Sequence, residues 1–431
     1  MKVLFVYPRF NRHSDDHPEL RDHVPMNEYL GSPSLGIAMM SAMTPDSWEV
    51  EYRDDRVVPA DRDTDADLIA LSFFTPAASR ALELADFFRA LGKTVVAGGI
   101  FPTMMPAVVA PHVDAVVIGE GETVWQTVLD DAAKGTLKLH YRASSPVDLS
   151  TLPVPDLPLY FDSEGETFKP DDYPLQLTRG CMLTCHACVL PTSMTTTLRP
   201  YGLDQVLAQL DQLVAAGKRA CLTEDTSWFP GGKTRGLLEA LFDELIASGR
   251  PASVSYIGIS MPMILATPTR VFEKARCAGV DMFYLVGGFD PITMKAFTGL
   301  HPKSTQKAAD AIAKAWDVGI EPYTSFLLGG DQDDRGTVDR MLEFADRSGI
   351  RKAEFAIATP YPGTPQWNQL VWEDRILTRN WSRYNDANAV FKPAQMTPDE
   401  LEEGYVRLWK GFYAGRQHLA TLPTAERTIQ F

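Results

Sequence analysis

The chain of 431 residues is 45% apolar and 23% charged, the composition of a soluble globular protein long enough for two or three domains. A formal charge of −15 without any basic run argues against a nucleic-acid partner. No apolar stretch approaches a membrane helix, and the short apolar start at Met1–Pro8 lacks the pattern of a signal peptide.

Residues 1–143 read as alternating strands and helices. Strands are expected at Lys2–Tyr7, Trp48–Tyr52, Leu68–Ser72, Lys93–Ala97 and Val113–Ile118. Leu84, Phe87, Phe88 and Leu91 share one face of an intervening helix. This alternation predicts a doubly wound, Rossmann-like parallel sheet, a fold that binds ligands at the carboxyl ends of its strands. Gly98-Gly99 and Gly119-Glu-Gly-Glu122 stand at two such ends. Glycines lacking Cβ let a bulky ligand approach the backbone, although an isolated Gly-Gly is also simply a tight turn.

Residues 144–173 form a proline-rich linker, interrupted at Pro146, Pro153, Pro155, Pro158 and Pro170. Over 174–365 the alternation resumes. A strand precedes Cys181, and others are expected at Ala220–Thr223, Ser253–Ile257, Met282–Val286, Tyr323–Leu328 and Glu354–Ala358. These six units are too few for a closed eight-unit barrel of ~250 residues, so a partial (β/α)6 barrel is expected. The tail, 366–431, is a helical extension rich in aromatics that are expected to pack as core. Thr397 and Pro398 mark a helix start, as N-cap and first helical residue.

Between linker and barrel stands Leu177-Thr-Arg-Gly-Cys181-Met-Leu-Thr-Cys185-His-Ala-Cys188. Three thiols spaced C-x3-C-x2-C can reach three corners of a [4Fe–4S] cube, whose clusters usually take four thiolates. The fourth iron would then be open to a substrate. A zinc site would want a fourth ligand, often in a second pair, but Cys221 and Cys277 each stand alone. A redox C-x-x-C of Cys185 and Cys188 leaves Cys181 unexplained. Free thiolate ligands imply a reducing compartment, and a cytoplasmic location is expected.

The cysteine spacing resembles the signature of radical S-adenosylmethionine (SAM) enzymes, and the whole layout resembles their cobalamin-binding branch. The landmarks are Pro33-Ser-Leu-Gly36, Ser72-Phe-Phe-Thr75, Gly98-Gly-Ile-Phe-Pro-Thr103, Gly119-Glu-Gly-Glu122, Tyr361-Pro-Gly-Thr-Pro365 and the closing run around Trp381, Tyr384, Phe391-Lys-Pro393 and Met396-Thr-Pro398. The resemblance implies a [4Fe–4S] cluster on Cys181, Cys185 and Cys188 whose open iron chelates SAM. It implies cobalamin held near Ser72, Thr75, Gly98, Gly99, Thr103, Gly119, Glu120 and Gly121. It places SAM near Ala187, Glu224, Asp225, Gly287, Gly288 and Ser325. No catalytic side chain is assigned. The family's D-x-H-x-x-G cobalt-ligand pattern is absent, since Pro8-Arg-Phe-Asn-Arg-His13 follows the first strand; His13, His17 and His23 read as surface residues.

The activity this implies is methyl transfer to an unactivated carbon or phosphorus of a small molecule through a 5′-deoxyadenosyl radical, with an electron donor such as flavodoxin or ferredoxin. Oxidation, cyclisation or rearrangement without methyl transfer, with or without cobalamin, is the alternative; a carrier or sensor of cobalamin would leave the thiol triad without a task.

Overall fold

The computed structural model describes residues 1–24, 31–165, 169–193, 195–222, 226–229, 232–249, 253–285, 295 and 301–415. The first sheet comprises β1 (Lys2–Tyr7), β2 (Glu49–Asp54), β3 (Leu68–Ser72), β4 (Thr94–Gly98), β5 (Ala115–Ile118) and β6 (His140–Arg142). They pair in the order β2-β1-β3-β4-β5-β6, all parallel. Val3, Leu4, Leu68, Ile69 and Val116 are fully buried, the pattern of strands covered on both faces. Covering helices include α1 (Leu35–Ala42), α2 (Ala78–Ala90), α3 (Ile100–Met104) and α4 (Trp125–Lys134). In α2 the buried stripe is Ala81, Leu84, Ala85 and Phe88, and Leu91 is an exposed residue past the helix end. Strand order reverses between β1 and β3, so the ligand crevice of a doubly wound sheet opens above their carboxyl ends. β6 goes beyond the five strands expected. It is a three-residue edge strand with only Tyr141 turned inward.

The second sheet begins with β7 (Asp172–Pro174). Next comes a two-residue antiparallel ribbon of β8 (Thr178–Arg179) and β9 (Arg199–Pro200). The sheet continues through β10 (Arg219–Leu222), β11 (Val254–Ile259), β12 (Met282–Leu285), β13 (Glu321–Leu328) and β14 (Ala353–Ile357). Its order is β14-β13-β12-β11-β10-β7, parallel throughout. Strands laid down sequentially with right-handed crossovers put every helix on one face. The other face is left for a ligand, and the sheet curls into an open half-barrel. The first barrel strand thus starts inside the stretch read as linker. Pro174 is tolerated because β7 is an edge strand.

The helical face holds α5 (Leu203–Ala215), α6 (Gly232–Ala247), α7 (Thr269–Cys277), α8 (Pro302–Asp317) and α9 (Thr337–Arg347). Phe283 packs on Phe272, and Phe326 stacks on Phe355. The tail contributes α10 (Pro365–Trp372) and α11 (Pro398–Tyr413). Trp409 and Phe412 of α11 lie edge-on to Phe355 at 5.3 and 5.5 Å, so the tail aromatics complete the barrel core. Thr397 accepts the Glu400 amide at 3.2 Å, and the Glu400 carboxylate accepts the Thr397 amide at 2.9 Å, a capping box.

His13 and His17, read as surface residues, are buried. Their Nε2 atoms donate to the carbonyls of Asn385 and Ala387 at 2.7 and 2.8 Å, and Asp16 accepts from Asn385 and Asn388. The loop after β1 thus binds the segment between α10 and α11. Burial pushes the His13 imidazole down to about 3, so it is neutral, with Nδ1 accepting the Tyr405 hydroxyl. Among the described residues no helix is long and apolar enough to cross a membrane.

Candidate functional site

The cysteine loop leaves the ribbon at Gly180. Its φ of +96° is open to glycine, and a Cβ there would lie 2.2 Å from the Thr197 carbonyl oxygen. Cys181 is buried, and its amide donates to the Thr195 carbonyl at 3.1 Å. The Cys188 amide donates to the Cys185 carbonyl at 3.2 Å, closing a turn that brings this pair to one end of the loop. All five cysteines are free of disulfides. Among the described residues no three His, Cys, Asp or Glu side chains converge on one metal ion. A cube binds each thiolate at a different iron, so its ligands need not share a point, and three cysteines on one folded loop suit it. Cys221 does not. It is buried on β10, and burial with the nearby Asp172 charge pushes its thiol up to about 12, which disfavours the thiolate a metal needs.

The expected corrinoid residues gather at the carboxyl ends of β3, β4 and β5. Ser72 and Gly98 are paired across β3 and β4. Gly99 has φ +101° and ψ −170°, a region essentially restricted to glycine. A Cβ on Gly99 would meet the Phe73 carbonyl oxygen at 2.7 Å and amide nitrogen at 2.9 Å, with the Ser72 hydroxyl at 3.3 Å. The Thr103 amide donates to the Gly99 carbonyl at 3.1 Å, and the Thr103 hydroxyl accepts from the Gly119 amide at 3.0 Å. Gly119 has φ +89°. Thr75 is buried in the turn after β3. Gly98, Gly99, Gly119 and Gly121 leave this edge of the sheet free of side chains, and a Cβ at these positions would meet Val117, Phe73, Ala143 and Met40 in turn.

Glu120 has another partner. Arg199 donates to its two carboxylate oxygens at 2.7 and 2.9 Å, and Arg179 donates to Glu122 at 2.7 Å and to Glu120 at 3.4 Å. The Val147 amide also donates to Glu120, at 2.8 Å. The four side chains are only 7–14% exposed. Burial alone would raise the Glu120 carboxyl. Hydrogen bonds from Arg199 and the Val147 amide, with the Arg179 charge, instead hold it below the usual carboxylate range. The carboxyl edge of the first sheet therefore grips the ribbon from which the cysteine loop springs.

Of the residues expected around SAM, Glu224, Asp225, Gly287 and Gly288 lie outside the described residues. Ala187 is buried within the cysteine loop. Ser325 lies on β13 in register with Glu354, whose carboxylate accepts the Tyr323 hydroxyl at 3.4 Å and the Tyr284 hydroxyl. The Gln366 amide donates to the His186 carbonyl at 3.0 Å, which docks the cysteine loop beside the end of β14. There the Tyr361 hydroxyl lies 2.8 Å from both oxygens of Asp386. Burial pushes that carboxyl up to about 7, against the hydrogen bonds from Tyr361 and Thr359, with the Glu354 charge adding to the rise. Asp386 also holds φ +63°, a conformation uncommon outside glycine that gathers at functional sites. Sequence reading passed over Glu122, Arg179, Arg199 and Asp386. Arg179 adjoins the cysteine motif and Glu122 closes a landmark run, so both carried a signal; Asp386 and Arg199 carried none.

Residues 30–129 match the family model described as B12 binding domain. The bacteriochlorophyllide d C-8(2)-methyltransferase of Chlorobaculum tepidum is 26% identical over 377 residues, 84% of this chain and 82% of that protein. The anaerobic magnesium-protoporphyrin IX monomethyl ester cyclase of Cereibacter sphaeroides is 24% identical, over 82% of this chain and 60% of its own length. Among solved structures, the radical S-adenosylmethionine methyltransferase TsrM of Kitasatospora setae, with cobalamin and [4Fe-4S] cluster bound, aligns with a TM-score of 0.63 at 16% identity. It covers 94% of this chain and 85% of that one, so the two share a fold.

Proposed function

We propose that this chain is a cobalamin-binding radical SAM methyltransferase acting on an unactivated carbon or phosphorus of a small molecule through a 5′-deoxyadenosyl radical. One observation carries the reading: the glycine cradle of the first sheet and the three-thiol loop are joined through two buried carboxylate–guanidinium pairs. When bound, a [4Fe–4S] cluster supplies the electron that cleaves SAM, and cobalamin supplies the methyl group.

The chain's own residues hold and enclose these groups. Cys181, Cys185 and Cys188 would take three irons as thiolates. Gly98, Gly99, Gly119 and Gly121, with Ser72 and Thr103, would seat the corrinoid. Ser325 and the Ala187 backbone would meet SAM, as would Glu224, Asp225, Gly287 and Gly288. The seam between the loop after β1 and residues 385–388 is closed by hydrogen bonds, those of His13 and His17 buried and that of Asp16 part-buried. In this reading residues 1–143 carry the corrinoid, 174–365 the cluster and SAM, and 366–431 close the barrel. The electron donor would be a flavodoxin or ferredoxin, the location cytoplasmic and no nucleic acid involved.

The test is anaerobic turnover with SAM carrying a deuterated methyl group, cobalamin and a small-molecule cell extract. The label is expected in a product, alongside S-adenosylhomocysteine and 5′-deoxyadenosine. The similarity to the cyclase keeps a second reading, oxidation or ring formation without methyl transfer. 5′-Deoxyadenosine without S-adenosylhomocysteine or labelled product would select it.

A further inference from the structure

We infer that Glu120 and Glu122 are positioning residues that tie the corrinoid seat to the cysteine loop, so that occupation of either site alters the other. The inference rests on the reading of the two sites given above.

The ribbon is the weak link. β8 and β9 pair over two residues only, and Arg179 faces Arg199 directly across them. Like charges opposite one another in an antiparallel pair repel, and an isolated two-stranded ribbon is at best marginal in water. The carboxylates of Glu120 and Glu122 supply the missing neutralisation: two guanidinium groups meet two carboxylates in an enclosed space. Arg179 completes its set with the Tyr201 hydroxyl at 2.9 Å, and Arg199 with the Val147 carbonyl at 2.5 Å.

There is no slack on either side of this clamp. Toward the cysteines, Arg179 is followed by Gly180, pressed on the Thr197 carbonyl, and by Cys181, bonded to the Thr195 carbonyl. A displaced Arg179 therefore displaces Cys181. Toward the corrinoid seat, Gly99, Thr103 and Gly119 are linked by successive hydrogen bonds, and Glu120 is the next residue. A ligand lying on Gly98–Gly99 thus acts on the same short segment that sets the clamp. A clamp serving fold stability alone would lower the melting temperature when cut and leave the two sites thermodynamically independent.

The test measures that independence in the full chain. Cobalamin affinity is determined with the cluster reconstituted and without it, and the cluster's midpoint potential with and without cobalamin. Coupling between sites is reciprocal. The expected wild-type result is a difference of at least about 5-fold between the two affinities, the lower end of ordinary coupling, together with a cobalamin-dependent shift in potential. In Glu120→Gln and Glu122→Gln, which keep shape and lose charge, both effects are expected to vanish while iron content stays near wild type. Should the Gln variants fail to fold, Arg199→Lys keeps the charge but loses the two-pronged contact, and its affinity ratio is expected to fall at least halfway to one. A wild-type ratio of one, or variants that keep the wild-type ratio and shift, overturns the inference and leaves the functional reading standing. A wild-type chain that takes up neither iron nor cobalamin overturns both.

Discussion

Gly98 and Gly99 separate what the fold requires from what the ligand requires. At Gly99 the backbone lies in a glycine-only region, which costs another residue about 1–3 kcal/mol. A Cβ would also stand 2.7 Å from the Phe73 carbonyl oxygen. That oxygen accepts the Phe101 amide, and the Phe73 amide donates to Gly98, so the strand end cannot retreat without breaking bonds. Gly99→Ala is therefore expected to cost at least about 3 kcal/mol, which lowers the melting temperature of the ligand-free chain by roughly 3 °C or more when its 431 residues unfold together. At Gly98 the nearest atom to an added Cβ is Val117 Cβ at 3.6 Å, an ordinary contact. Gly98→Ala should leave stability unchanged or raise it by about 0.4–1 kcal/mol, through the unfolded chain. If cobalamin lies over this strand end, the same methyl group stands in its path. Thermal melts of the ligand-free protein and equilibrium dialysis with cobalamin give both numbers. The expected pattern for Gly98→Ala is an unchanged melt with affinity weakened about 10-fold or more, a loss of ~1.4 kcal/mol. Wild-type affinity in Gly98→Ala would refute the seat, and an unchanged melt in Gly99→Ala would refute the backbone argument.

Cys181→Ala is expected to abolish iron uptake on anaerobic reconstitution, whereas Cys221→Ala and Cys277→Ala should hold wild-type iron; iron assay per chain decides. Gly180→Ala forces a Cβ against the Thr197 carbonyl at φ +96°, so iron content should fall although every thiol remains. The folded Asp386 carboxyl, at about 7, lies above its ordinary value near 3.9. Its contribution to stability is thus fully present below pH ~4 and is lost as pH rises through about 7. Asp386→Asn should flatten the melting temperature over that window, and a parallel wild-type and variant profile would contradict the assignment. Thr397→Ala removes the cap of α11 and should cost about 1 kcal/mol in denaturant titration.

The elements with strong apolar patterns were legible from sequence: β1, β3, β4 and β5 are runs of Val, Ile, Leu and Ala buried on both faces. β6 was not, because an edge strand of His140, Tyr141 and Arg142 shows neither a run nor an alternation of useful length. β7 was hidden by Pro174, which reads as a breaker until the strand is known to lie at an edge. The cysteine loop was readable from spacing alone, because cluster ligands must be close in sequence or be positioned by the fold, and here they are close. The clamp was not readable. Glu120 and Arg199 are 79 positions apart; Glu120 is expected beside cobalamin rather than in an ion pair, and Arg199 looks like an ordinary surface charge until the two sheets are assembled. His13 and His17 misled for the same reason, since their partners lie some 370 residues away.

The most direct measurement is electron paramagnetic resonance of the reduced, anaerobically reconstituted chain before and after SAM is added, with 5′-deoxyadenosine quantified in the same sample. Three thiolates and one open iron predict a spectrum that changes on SAM addition and a nucleoside product that disappears when any of Cys181, Cys185 or Cys188 is replaced. A cluster whose spectrum ignores SAM, with no 5′-deoxyadenosine formed, would contradict the account.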